Sequence, residues 1–171
     1  DIYQYHITDS MKFSFSDNDF LDISVTHSTH DNLAMRPDII NSRFQEALAG
    51  RGGERKNLSW NLFADVNPDE LVQYVSGNLI AKKKGSLSSI DGIYLTNFNE
   101  IYFSAGFQIA RDTLDIQYND LGRIEVNKEG QITKQADLFF LGGGTDVNKA
   151  RFKAALFGEL NKSISEKLEI R

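Results

Sequence analysis

The sequence predicts a soluble α+β domain, and three observations carry that prediction. Short segments rich in β-branched and aromatic residues follow one another from Gly92 to Leu141, with turn formers between several of them. A long pattern with an apolar residue at every fourth position comes after them. An alternating strand pair and two shorter helical patterns come before them.

The chain begins with alternation over Lys12 to Val25. Phe13 and Phe15 precede Asp17-Asn18-Asp19, and Leu21, Ile23 and Val25 follow it, which reads as a hairpin with one buried face. The polar run Thr26 to Asn32 is expected to be a loop. Pro37 then opens a helix to about Ala49, with Ile40, Phe44, Ala47 and Leu48 on one face and a stop at Gly50. Leu58, Trp60, Leu62 and Ala64 share a period-two face, so Leu58 to Val66 reads as a strand. Asn67-Pro68-Asp69-Glu70 combines a capping residue, a first-turn proline and acids at the positive dipole end, a strong helix start. Gly77 weakens that helix and leaves Leu79-Ile80-Ala81 as the beginning of a strand, with Lys82-Lys83-Lys84-Gly85 as an exposed loop.

Five strands are expected in the sheet: 93–95, 101–103, 114–118, 124–126 and 137–141. Gly142-Gly143-Gly144 then ends in Asp146 as a helix cap, and Phe152, Leu156, Leu160, Ile164 and Leu168 define a long amphipathic C-terminal helix packed on the sheet. Arg43 to Gly50 and Arg151 to Gly158 carry Arg, Phe, Ala, Leu and Gly in register. That echo reads as a shared helical vocabulary or as the trace of a duplication.

Composition limits the function classes. At 171 residues the chain fits one domain with an elaboration, or two very small ones, and needs neither disulfides nor a metal to hold a core. It has no cysteine, which removes thiol nucleophiles, thiolate metal sites and disulfide frameworks together. The formal charge of -5 argues against a nucleic-acid partner, because phosphate neutralisation needs a dominant basic field. Neither a membrane span of roughly 20 apolar residues nor a signal peptide is visible. A cytoplasmic location is the preferred expectation, with an exported form left open, and the missing initiator methionine reads as a processed form or a piece of a longer chain.

Gly92-Ile93-Tyr94-Leu95-Thr96-Asn97, then Glu100-Ile101-Tyr102-Phe103, then Ile116-Gln117-Tyr118-Asn119-Asp120-Leu121-Gly122-Arg123-Ile124, and finally a terminal helix bearing Phe152, resemble the bacterial pleckstrin-homology-like (PH-like) and GRAM-like domains. The resemblance covers roughly residues 79–164. It implies a strongly bent antiparallel sheet, a PH-like barrel, capped by the long C-terminal helix, and a fold used for head groups, peptides or assembly. Phe98-Asn99 stands where those families often carry a basic pair. The expected organisation is a strand-strand-helix extension or reduced repeat at 1–66 and a PH-like domain at 67–171.

Candidate chemistry is sparse. Lys82, Lys83 and Lys84 form the leading ligand-binding candidate, at about 1 kcal/mol per basic residue toward an anionic lipid surface. A solvated loop is the simpler reading of the same residues. His27, His30 and Asp31 are the candidate metal ligands, since imidazole and carboxylate suit zinc or a harder divalent ion, although a solvated polar loop also accounts for them. The glycine run lacks the Lys-Ser/Thr of a phosphate loop, and no nucleophile elbow occurs.

The expected function is a non-enzymatic binding or assembly module without a cofactor. It would engage a protein partner or its own copies through the sheet edge or a helix groove, with peripheral contact to an anionic membrane as a variant. The alternatives are a small metal-dependent enzyme or toxin-like effector using the His27/His30 loop, and a structural component of a phage or secretion assembly.

Overall fold

The computed structural model describes residues 2–98, 101–165 and 168–170, with side chains through residue 162. Its strands are long: β1 (Ile2–Ser16), β2 (Asp19–Ile39), β3 (Ser76–Phe98), β4 (Ile101–Tyr118) and β7 (Val147–Ser165), joined by the short β5 (Glu125–Val126), β6 (Ile132–Lys134) and β8 (Leu168–Ile170). Two short helices, α1 (Asn41–Leu48) and α2 (Asp69–Val75), complete the elements. The main sheet has six strands in the order β1-β2-β3-β4-β7-β8, and β5 and β6 pair separately. This is a predominantly β architecture, with no closed barrel and no long helix among the described residues.

The expectation of an α+β fold capped by a long C-terminal helix is therefore corrected. Residues 147–165 form a strand, and the reason lies in the spacing itself. Positions four apart share a face of a helix, but they also share a side of a strand, where side chains repeat every second residue. Phe152, Leu156 and Leu160 satisfy both periods. Gly158 costs a helix interior about 1 kcal/mol, and pairing with β4 decides the outcome, since Asp112 engages both Arg151 and Lys153 at 2.7 Å. Ile164 and Leu168 belong to β7 and β8, but their side chains lie outside what is described, and Asn99 and Glu100 lie outside the described residues.

The polar run at 26–32 and the lysines at 82–84, both expected to be loops, continue β2 and β3. Polar composition suggested loops there, but side chains on an exposed strand need no apolar partner, so ladder formation with neighbouring strands prevails. Residues 124–126 contribute to β5, whereas 137–141 supplies only the isolated bridge of Leu138 to Ile40. Likewise 58–66 makes a bridge, Gly52 to Leu58, and turns instead of a strand.

The chain divides into two compact units. The first comprises 32–83 and 115–148 with Ile2, and the second comprises 3–31, 84–114 and the residues from Lys149 onward. In the first unit, α1 starts later than Pro37. The Asp38 carboxylate holds 37–39 extended by accepting the N–H of Ile39 at 2.7 Å, Phe140 at 3.1 Å and Leu141 at 2.8 Å. The helix ends as expected before Gly50, whose φ of 75° only glycine adopts freely and whose N–H bonds the Ala47 carbonyl. Helix α2 is capped at Pro68, while Asn67 turns its amide toward Asn61. Leu79-Ile80-Ala81 lies in a strand, but that strand, β3, already begins at Ser76. Ala47, Leu71 and Val75 form the buried centre, with Phe44, Trp60 and Tyr74 packed around them.

In the second unit, close approach between strands requires glycine at position 106. A Cβ there would stand 2.6 Å from the Gly92 carbonyl oxygen and would meet the Phe157 ring. A backbone carbonyl cannot swing aside as a side-chain tip does. Gly106→Val is accordingly expected to lose about 1–3 kcal/mol of stability by urea unfolding followed by circular dichroism. A loss below about 0.5 kcal/mol, the range of an ordinary surface change, would show that this approach is not held.

Candidate interaction surface

The second unit presents a sheet whose two faces differ in chemistry, and cross-strand contacts establish which residues share a face. On one side, Gln4 meets His30 at 3.0 Å and Thr8 meets Thr26 at 3.1 Å across β1 and β2. Asp91 meets Gln108 across β3 and β4 at 2.5 Å. The Asp112 cluster with Arg151 and Lys153 links β4 to β7, and the ammonium of Lys153 and the guanidinium of Arg151 hold the Asp112 carboxyl below its ordinary value. Several polar groups of this face thus pair with one another, and Leu87, Leu114 and Phe157, the last filling the space above Gly106, stand exposed among them.

The other face is apolar. On β1 it carries Tyr3, Tyr5, Ile7, Met11, Phe13 and Phe15, all exposed. On β2 it carries Leu21, Ile23 and Val25, and on β7 it carries Phe152, Leu156 and Leu160, exposed at 69%, 87% and 55%. The His27 ring meets Ser88 Oγ at 2.9 Å, Ser86 meets Thr113 at 2.6 Å, and the space beside Gly92 is occupied by Phe107. These contacts set the register, and it places Met11, Ile23, Gly92, Phe107 and Leu156 on one line across five strands. The line on one side is Phe13, Leu21, Tyr94, Ala105 and Gly158. On the other side it is Asp9, Val25, Ile90, Ile109 and Ala154. Only Asp9, on the outermost strand, carries charge in these three lines.

Polar groups return at the ends of this face. Beyond the central lines lie His27, Ser88 and Arg111 in one direction, and Asp19 and Thr96 in the other. Hydrogen bonds from Thr96 and Tyr94 hold the Asp19 carboxyl below its ordinary value, and the Tyr94 hydroxyl stands 2.9 Å from it. An apolar centre inside a polar border is the usual anatomy of a recognition surface. A shallow cavity of about 220 Å³ lies on the face between β1 and β2, lined by Ile7, Met11, Ile23 and Val25 among others.

The sequence candidates are not gathered by the fold. His27 lies on the apolar face against Ser88, His30 lies on the polar face against Gln4, and Asp31 pairs with Lys84 at 3.2 Å. Odd and even positions of a strand point to opposite sides, which separates the two imidazoles. Among the described residues no group of three His, Asp or Glu is placed to hold a metal ion. Lys82, Lys83 and Lys84 are all exposed on β3. The same alternation sends Lys83 to the side opposite its two neighbours, so the three do not form one patch.

A second concave site belongs to the first unit. It has about 510 Å³ and is lined by Lys82, Asp115, Tyr118, Arg123 and Asp146 among others. Two of its charges are committed to each other: Asp146 accepts the Tyr118 N–H at 2.8 Å and pairs with Arg123 Nε at 3.2 Å, while Arg123 also reaches the Tyr118 carbonyl and Asp120. The glycine run does not line it; Gly144 sits against the Tyr118 ring, and its N–H bonds the Gly122 carbonyl and is not presented to an anion. Asp146 thus braces a loop and does not cap a helix.

The alternation puts Phe13, Phe15, Leu21, Ile23 and Val25 on a common face and predicts a core beneath it, whereas Phe13, Phe15 and Val25 stand exposed. Alternation marks which side is apolar, and it cannot say whether another layer covers that side. Comparison of the chain with protein families, curated proteins and solved structures finds no match in any of the three.

Proposed function

We propose that this chain is a non-enzymatic binding or assembly module whose working surface is the apolar face of the second unit. The observation that carries this reading is the set of three adjoining lines of apolar side chains across five strands, left open to solvent. The largest contiguous apolar patch of a typical monomeric protein is about 300–600 Å² and often marks an interaction site, and three lines across five strands reach that size. The opposite face is more polar, with Gln4, His30, Thr8, Thr26, Asp91, Gln108, Asp112, Arg151 and Lys153 paired with one another across its strands.

A protein surface suits this face better than a bilayer. An open sheet ends in a strand with unpaired backbone groups, and each such group costs several kcal/mol in hydrocarbon. The main sheet is open, with β1 at its edge. A protein laid on the face leaves that edge in water.

Photo-crosslinking tests the reading. p-Benzoylphenylalanine in place of Phe13, on the apolar face, is expected to give protein adducts on irradiation, whereas the same residue in place of Ser14, on the polar face, gives few. Equal yields from both positions would defeat the proposal.

A further inference from the structure

We infer that the occupant of this apolar face is a second copy of the same chain, packed face to face across a two-fold axis. The inference rests on the reading of the face as an interaction surface and adds the identity of the partner.

Area is the first support. Strands lie about 4.8 Å apart and same-side residues about 6.8 Å apart along a strand, so the three central lines across five strands cover roughly 500 Å², and the flanking lines that carry the polar groups bring the face to roughly 800 Å². A standard stable interface takes about 800 Å² from each partner, so one face is sufficient. The ends of the face, at His27 and Arg111 and at Asp19, then fall at its rim.

Charge is the second support. A partner of different sequence is ordinarily selected by opposite charge, and this face has almost none to offer within its central lines, Asp9 on the edge strand excepted. Interfaces between identical chains are the more apolar class, and an isologous contact needs one patch that complements itself. Two such sheets stack about 10 Å apart with their apolar side chains interdigitated. Leu156, 87% exposed in the single chain, and Phe107 beside Gly92 lie on the middle line and would bury against their counterparts.

The test is sedimentation equilibrium of the full chain at pH 7 from about 1 to 100 μM, on the unaltered protein and on Phe13→Lys, Leu156→Lys and Ser14→Lys. The expected mass for the unaltered protein and for Ser14→Lys is twice the 19.3 kDa of the chain. Phe13→Lys and Leu156→Lys are each expected to weaken association by roughly 30-fold or more, the loss typical of an interface hot spot. Both positions are exposed in the single chain, and circular dichroism checks that each variant folds. Should one of them fail to fold, the other carries the comparison. A mass of one chain throughout the range overturns the self-association, as does a dimer that all three substitutions leave equally stable. If the chain is monomeric yet Phe13 still crosslinks to other proteins in preference to Ser14, the self-association fails and the interaction surface stands.

Discussion

Leu71→Ala is expected to lower the unfolding free energy by about 2–5 kcal/mol, the range for emptying a buried leucine site. Leu71 is 0% exposed in a centre shared only with Ala47 and Val75 among the buried residues of its cluster. With so small a centre, few neighbours are free to collapse into the space. Trp60, the single tryptophan, packs against this cluster and stands edge-on to Phe44 at 5.4 Å, so its fluorescence follows the first unit. Urea unfolding read at Trp60 should show the loss, while Val72→Ala, at an exposed neighbouring position, should shift the midpoint far less. A Leu71→Ala midpoint equal to that of Val72→Ala would mean that the α1/α2 contact does not hold this unit together.

The second large effect centres on Asp38. Burial acts to raise its carboxyl, but the N–H groups of Leu141, Ile39 and Phe140 outweigh burial and hold the group below its ordinary value. Asp38→Ala leaves these donors without their charged acceptor, at an expected cost of about 1.5–3 kcal/mol. The sign of the pH dependence follows from the depressed value. The stabilisation is complete above the unfolded carboxyl's pKa near 3.9, and it is lost as pH falls through the lower folded value. Asp38→Asn removes the titrating group while keeping its size. Trp60-monitored unfolding of the unaltered chain should therefore lose stability between about pH 5 and pH 2 more steeply than Asp38→Asn. Parallel curves for the two proteins would show that the three N–H groups do not depend on the carboxylate.

These two sites differ in how far the sequence announced them. Phe44 and Ala47 were legible as a helix face, whereas Ile40, expected on that face, stays extended before α1 and bridges to Leu138; the helix stops before Gly50, whose positive φ suits glycine. Leu71 and Val75 were legible as the apolar side of α2. Asp38 was not legible, because its partners Phe140 and Leu141 lie about a hundred residues further along the chain. Nothing local distinguishes an acid that will close a long-range bridge from one that will sit in solvent.

The same limit governs the proposed interaction surface. Arg43 to Gly50 and Arg151 to Gly158 share five residue types in register, yet the first stretch lies in and just beyond α1 and the second lies within β7. A short helical vocabulary therefore sets no more than a preference of a few tenths of a kcal/mol per residue, which pairing partners readily override.

By itself the sequence determined the sidedness of this protein: Phe13 and Phe15 of β1 share a side with Leu21, Ile23 and Val25 of β2, and Phe152, Leu156 and Leu160 stand on one side of whatever element holds them. It also determined the absence of thiol chemistry and the glycine stop after α1. Only the tertiary structure decided that spacing by four is read in β7 as a strand and not as a helix, because residues four apart coincide in both geometries and the long-range ladder to β4 breaks the tie. Only the tertiary structure also decided that the apolar sides align as one open face, since alternation fixes which side of a strand repels water but not what, if anything, lies against it.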